Sequence, residues 1–196
     1  MRESAIISLI VALAFLGFRI FDFLLLRKDA VAKSGKLTAH DKGTSRFIQF
    51  AIVISWLLML LAALLDQFRI GIVEPHLVFA AIGVALMGAG ITLRVVAMQT
   101  LGKFFTRTLR IREEQHVVST GIYRRVRHPG YLGEMFLFVG SGIATGNVIT
   151  TILILSVILP AFVRRIAVEE RMLVDQLGEE YAAYQAQTWR LIPFVF

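Results

Sequence analysis

The chain has 196 residues, of which 57% are hydrophobic and only 18% charged, and its mean hydropathy is +0.71. A soluble domain of this length carries more charge and shorter apolar runs, so the sequence describes an integral membrane protein with room for several spans. A formal charge of +7 could point to nucleic acid, but the basic residues lie between apolar runs, where membrane topology accounts for them. The absence of cysteine excludes disulfides, a thiolate nucleophile and cysteine metal ligands.

The first apolar run covers residues 5 to 26 and is broken by Arg19 and Asp22. These two lie three residues apart on one helix face, so they pair with each other inside the bundle or near a helix end. Met1 to Ser4 is not an extended basic region and no small-residue cleavage site follows, so a removed signal peptide is not expected. Residues 27 to 46 read as a polar loop with six Lys or Arg and two Asp; His40 is a solvated loop histidine. Residues 47 to 65 are long enough to cross the ~30 Å hydrocarbon core, with Trp56 in the middle as a packing residue.

After a short turn at 66 to 75, Pro75 opens a third span over 76 to 98. Gly83, Gly88 and Gly90, with neighbouring alanines, give it a small-residue surface of the kind through which helices approach closely in lipid. Arg94, near its end, is placed to snorkel to the interface.

Residues 99 to 130 break the apolar pattern, with seven Lys or Arg against two acids. The stretch from Thr108 to Val118 reads as short extended pieces or loop. Gly121 supplies a tight bend, and Pro129 biases His128 away from helical angles, so the next helix starts near Pro129. Two shorter apolar runs, 131 to 145 and 148 to 163, are joined by a turn at 144 to 147 and form a tight antiparallel hairpin. Pro160 is a potential kink in its second arm. Residues 164 to 188 are charged but keep an apolar stripe at helical spacing (Leu173, Leu177, Tyr181, Tyr184), interrupted by Gly178.

The expected fold is an all-α integral membrane bundle of about five transmembrane helices, the last two a hairpin, with a cytoplasmic cofactor-binding region and a C-terminal helix. Residues 1–98 hold three transmembrane helices and a basic loop; residues 99–196 form the catalytic region. The basic segments at 27 to 46 and 99 to 130 and the charged C-terminal stretch fall on one side, which the positive-inside rule makes cytoplasmic. The expected location is the inner (cytoplasmic) membrane, with the active site facing the cytoplasm.

A returning hairpin places the two ends of its arms side by side. Two polar clusters therefore meet on one membrane face: His116, Tyr123, Arg124, Arg125, Arg127, His128 and Tyr131 before it, and Arg164, Arg165, Glu169, Glu170 and Arg171 after it. The arginines are either a topological charge run or forks for a carboxylate or phosphate. The glutamates are either a solvated helix segment or acceptors for hydroxyl and ammonium groups. His76 and His116 have no ligand set at metal spacing, and no metal is expected.

These residues carry a resemblance. Arg127–His128–Pro129–x–Tyr131–x–Gly133, preceded by Val118–x–x–Gly121–x–Tyr123, is similar to the hallmark of isoprenylcysteine carboxyl methyltransferases and their prokaryotic relatives. The second half follows as Glu169–Glu170, Leu173, Gly178–Glu179–Glu180–Tyr181–x–x–Tyr184 and Arg190–x–x–Pro193. Leu101–Gly102 resembles the segment ahead of the core, so the likeness runs over roughly residues 100 to 194, and related architecture occurs in phospholipid N-methyltransferases.

The resemblance implies methyl transfer from S-adenosyl-L-methionine to the carboxylate of a lipophilic acceptor, a prenylated cysteine in eukaryotic members. It implies a donor site formed by Val118, Gly121, Tyr123, His128, Pro129, Tyr131 and Glu170, with Glu169 the alternative carboxylate. It makes Arg127 and Arg165 the catalytic candidates that hold the acceptor carboxylate. Membrane lipids are expected partners; nucleic acid or an obligate protein partner is not. A phospholipid or other small-lipid N- or O-acceptor, and a non-catalytic protein that binds anionic lipid, are the competing readings.

Overall fold

The computed structural model describes residues 2–31, 38–39, 43–105, 110–111 and 116–194. Among these residues, six α-helices follow in order: α1 (Glu3–Val31), α2 (Thr44–Gln67), α3 (His76–Leu101), α4 (Pro129–Thr145), α5 (Val148–Leu177) and α6 (Glu179–Gln187). A two-residue antiparallel pairing joins β1 (Thr38–Ala39) to β2 (Arg110–Ile111). His40, and the parts of the 108 to 118 stretch at 108–109 and 112–115, lie outside the described residues.

Among the described residues, α1, α2, α3 and α5 are long and apolar enough to cross a membrane, and most of each apolar window faces outward. That is the pattern of helices whose solvent is lipid. α4 has 17 residues, about 26 Å at the helical rise, and packs along α3 while also touching α1, α2 and α5. The core of the bundle contains Phe15, Met59, Leu137, Phe138, Ile154 and Ile158. Trp56 belongs to this packing, and its indole N–H donates to the Ala12 carbonyl at 3.2 Å.

α3 and α4 approach each other closely, and glycine permits it. A Cβ on Gly83 would lie 2.4 Å from the Gly140 carbonyl oxygen, and one on Gly90 would lie 2.5 Å from that of Gly133. Backbone meets backbone at both points, as small-residue surfaces allow. Gly88 lies off this seam, with nothing within 4 Å of its Cβ position.

Two boundaries differ from the sequence reading and a third, at Gly178, agrees with it. α1 continues into the basic stretch as far as Val31, because Arg27, Lys28 and Ala30 are good helix formers and need no lipid to stay helical. α5 is one helix through Pro160 to Leu177, so the last apolar run and the charged stretch after it are a single rod. Gly178, at φ 57°, ends it and splits the expected apolar stripe between α5 and α6.

The intramembrane charges also differ. Arg19 and Asp22 do not pair with each other: Arg19 Nη1 is 2.9 Å from both carboxylate oxygens of Glu134, and Asp22 is held by Arg94 at 3.2 and 3.3 Å. Arg94 also reaches Glu134 at 2.9 Å. It is buried rather than snorkelling, because two carboxylates inside the bundle compensate its charge where lipid could not. Two acids and two arginines thus form a chain that joins α1, α3 and α4.

At the opposite end of the bundle the two short links clasp each other. Val148 N–H donates to Gly71 O and Val73 N–H to Gly146 O, both at 2.9 Å. The Asn147 amide reaches the Asp66 carboxylate at 2.9 Å, and Ser8 reaches its other oxygen at 2.8 Å. The hairpin arms are thereby fixed at their closed end, which sets the spacing at the open end.

Candidate functional site

The open end of the α4–α5 hairpin is built by local backbone rules. Gly121 takes φ 57°, a conformation that suits glycine, and starts a 3-10 turn over Gly121–Arg124. His128 is extended away from helical angles, at φ −124° and ψ 54°, and Pro129 opens α4. Tyr131 therefore stands in the first turn of α4. From α5, Arg165 and Glu169 are four residues apart and share one face with Glu170 beside it.

Residues 125–128 do not stand alone. Arg127 N–H donates to Trp189 O at 2.8 Å, Trp189 N–H to Arg125 O at 2.9 Å, and His128 N–H to Arg190 O at 3.0 Å. The Tyr184 hydroxyl donates to Tyr123 O at 2.6 Å. The segment after α6 thus runs beside the histidine motif as a strand would.

Glu170 is the hub of the inner wall. Its Oε1 receives Arg127 Nε at 2.9 Å and faces His128 Nε2 at 3.3 Å, while its Oε2 receives Arg190 Nε at 2.8 Å. Arg127 also donates to the carbonyls of Gln185 (2.9 Å) and Thr188. Its fork is thus committed to the inner frame. Glu169 instead accepts from the Tyr131 hydroxyl at 2.5 Å, and that hydroxyl accepts from Arg165 Nε at 3.1 Å. Arg165 Nη1 donates to Thr44 Oγ1 at 2.8 Å and Ser45 Oγ at 2.9 Å.

Burial raises the phenol pKa values of Tyr123 and Tyr181 well above the ordinary value, and the carboxylate charge of Glu169 adds to this. Tyr184 is pushed up to about 12 by burial, against the opposing pull of Arg127. All three stay protonated at neutral pH. Rings continue the site inward: His128–Tyr131 and Tyr131–Phe162 have centroids 5.7 Å apart, and Phe138 follows Phe162 at 6.1 Å.

Of the residues singled out in the sequence, Arg127, His128, Tyr131, Arg165 and Glu170 form one connected network. Pro129 is buried at the start of α4. Tyr123 is buried and tied to α6 through its carbonyl. Val118 is half-buried and Gly121 exposed in the approach to the motif. His116 packs edge-on against Phe104 with centroids 4.7 Å apart.

Three participants escaped the sequence reading. Thr44 and Ser45 carried no signal, since nothing in a polar loop marks which hydroxyls reach a residue 121 and 120 positions away. Glu134 did carry one: an acid inside an apolar run needs a partner, and Arg19 and Arg94 were the available cations.

The chain is similar in sequence and in fold to known methyltransferases. The family model described as phospholipid methyltransferase matches residues 78–180. A probable protein-S-isoprenylcysteine O-methyltransferase of Oryza sativa subsp. indica is 34% identical over 116 residues, 58% of this chain and 61% of the relative. Protein-S-isoprenylcysteine O-methyltransferase A of Arabidopsis thaliana is 28% identical over 165 residues, 81% of this chain and 84% of the relative. The solved structure of the eukaryotic intramembrane Ras methyltransferase, isoprenylcysteine carboxyl methyltransferase, superposes with a TM-score of 0.60 at 26% identity, covering 75% of this chain and 52% of that one. The match thus spans about three-fifths of the rice relative's length. The family model over residues 78–180 takes in the whole α4–α5 hairpin, where the candidate site lies, and on that match the chain belongs to the phospholipid methyltransferase family.

Proposed function

We propose that the protein transfers a methyl group from S-adenosyl-L-methionine to the carboxylate of a lipophilic acceptor held in the membrane, of which an S-prenylated cysteine is the model. The observation that carries this reading is the joining of two motif halves, Arg127–His128–Pro129–x–Tyr131 and Glu169–Glu170, at the open end of one hairpin.

The donor set fits such a cofactor. Carboxylates at Glu169 and Glu170 suit its ammonium and ribose hydroxyls, and the ring faces of His128 and Tyr131 suit its sulfonium and adenine. When bound, S-adenosyl-L-methionine supplies an electrophilic methyl group on sulfur. Glu170, with Arg127, Arg190 and His128 around it, holds the inner wall in one geometry. Val118, Gly121, Tyr123 and Pro129 shape the approach.

An acceptor carboxylate is already ionised at neutral pH, with a reference pKa near ~4. The chain therefore needs no general base. Its task is to orient and desolvate. Arg165 is placed for this, at the outer side of Tyr131 and against α2. Arg127, locked among Glu170 and two backbone carbonyls, serves the frame and secondarily the acceptor. Five helices cross the membrane in this reading, with the site at the cytoplasmic face of the inner membrane.

The test is transfer of labelled methyl from S-adenosyl-L-methionine to an S-farnesylcysteine acceptor by purified protein, with calorimetry of S-adenosylhomocysteine alongside. Base-labile label supports a methyl ester. No donor binding by well-folded protein overturns the reading. The family's description favours a second acceptor class, the amine of a phospholipid; label on lipid that resists mild base identifies it.

A further inference from the structure

Arg165 is held by the other half of the chain. Its Nη1 meets the hydroxyls of Thr44 and Ser45, in the first turn of α2, at 2.8 and 2.9 Å. Thr44 and Arg165 are both buried, at 1% and 3% exposure. Hydroxyl residues at a helix start commonly cap the helix itself. Here Gly43 occupies the N-cap position, and both following hydroxyl oxygens accept from the arginine. The neighbouring Arg164 guanidinium lies over the Phe47 ring, 5.4 Å from its centroid, so α5 grips the start of α2 at two points.

Two hydroxyls on one side fix the plane of the Arg165 fork against α2. On its other edge, Arg165 Nε donates to Tyr131, which donates to Glu169. A line of contacts therefore runs from α2 to the donor side of the site.

We infer that Thr44 and Ser45 are positioning residues for the methyl acceptor: they orient Arg165, and through them the first turn of α2 sets how an acceptor carboxylate is held. This inference rests on the proposed role of Arg165. It assigns part of acceptor recognition to residues outside the 78–180 region that matches the family.

The test compares wild type with Thr44→Val, Thr44→Ser and the double variant Thr44→Val/Ser45→Ala in detergent. The probe is N-acetyl-S-farnesylcysteine. Loss of a hydrogen bond to a charged group is expected to raise the acceptor KM about tenfold in Thr44→Val and further in the double variant. Thr44→Ser, which keeps the hydroxyl, should stay near wild type. Affinity for S-adenosylhomocysteine should be the same in all four proteins. An unchanged acceptor KM in the double variant overturns the inference, as does a joint fall in acceptor binding, donor affinity and melting temperature, which would mark a structural role. Direct calorimetry of the same acceptor separates the two levels. A wild type that binds the acceptor without methylating it sinks the functional reading, and the double variant's affinity still decides the role of Thr44 and Ser45. A wild type that binds neither donor nor acceptor overturns both.

Discussion

Arg19 on α1 and Glu134 on α4 grip each other across 115 residues of sequence, with one guanidinium nitrogen 2.9 Å from each carboxylate oxygen. Both are largely buried, and Arg94 and Asp22 continue the chain of charges. Removing one member leaves a charge without compensation in a medium of low dielectric, at a cost of about 3–5 kcal/mol. Glu134→Gln should therefore lower the melting temperature sharply. Arg19→Met combined with Glu134→Leu removes one charge of each sign and should be milder than Glu134→Gln alone. Thermal unfolding in detergent decides, and equal losses would refute the pairing.

The glycine seam between α3 and α4 predicts a contrast within one helix. Gly83→Ala drives a methyl group into the backbone of α4, where a Cβ would sit 2.3 Å from Ala144 N. Overpacking of this kind costs about 1–3 kcal/mol, and more where backbone rather than a side chain must yield. Gly88→Ala meets open space and should be neutral or slightly stabilising, through helix propensity. A Gly83→Ala protein as stable as Gly88→Ala would show that the seam is looser than described.

Arg165→Ala should separate binding from turnover. Donor affinity stays within a few-fold of wild type, because among the described residues Arg165 meets the donor side through Tyr131. Turnover falls about a hundredfold, the scale on which misplacing a reactant acts. Calorimetry and labelled-methyl transfer on one preparation provide the check. Equal loss of both would assign Arg165 to the donor site or to the fold.

Alkaline pH should loosen the inner wall. Tyr184 has its folded pKa raised to about 12, and Tyr123 and Tyr181 are raised further, against about 10 in an unfolded chain. The neutral phenol is the form the fold favours. Its contribution is complete below about pH 10 and is lost as pH climbs through the folded values. Melting temperature should be flat from pH 7 to 9 and fall above 10. In Tyr184→Phe the fall should be shallower, from a lower starting point because the bond to Tyr123 O is gone. A melting temperature independent of pH up to 11 would contradict the burial of these phenols.

Much of this arrangement was legible in the chain. Apolar runs of spanning length gave the helices, because a membrane imposes one periodicity and one length on everything it surrounds. His128, Tyr131, Arg165 and Glu170 could be brought together before any coordinates, because a short turn leaves an antiparallel return as the only course. The exchange of partners among Arg19, Asp22, Arg94 and Glu134 was not legible. Spacing along one helix suggests neighbours on that helix, but which helix lies opposite is decided by the glycine seam, and that is a property of two surfaces. Thr44 and Ser45 were hidden for the same reason, in the half of the chain that the motifs do not reach.

The pairing of residues 125–128 with 189–190 has a consequence for the order in which the protein is made. Arg127 and His128 find their backbone partners in Trp189 and Arg190, some sixty residues downstream. At about 5–20 residues per second, a ribosome needs roughly 3–12 s to cover that distance. Through that interval α4, α5 and α6 are being made in turn, and the histidine motif lacks its backbone partner. The inner wall therefore closes only after both arms of the hairpin exist.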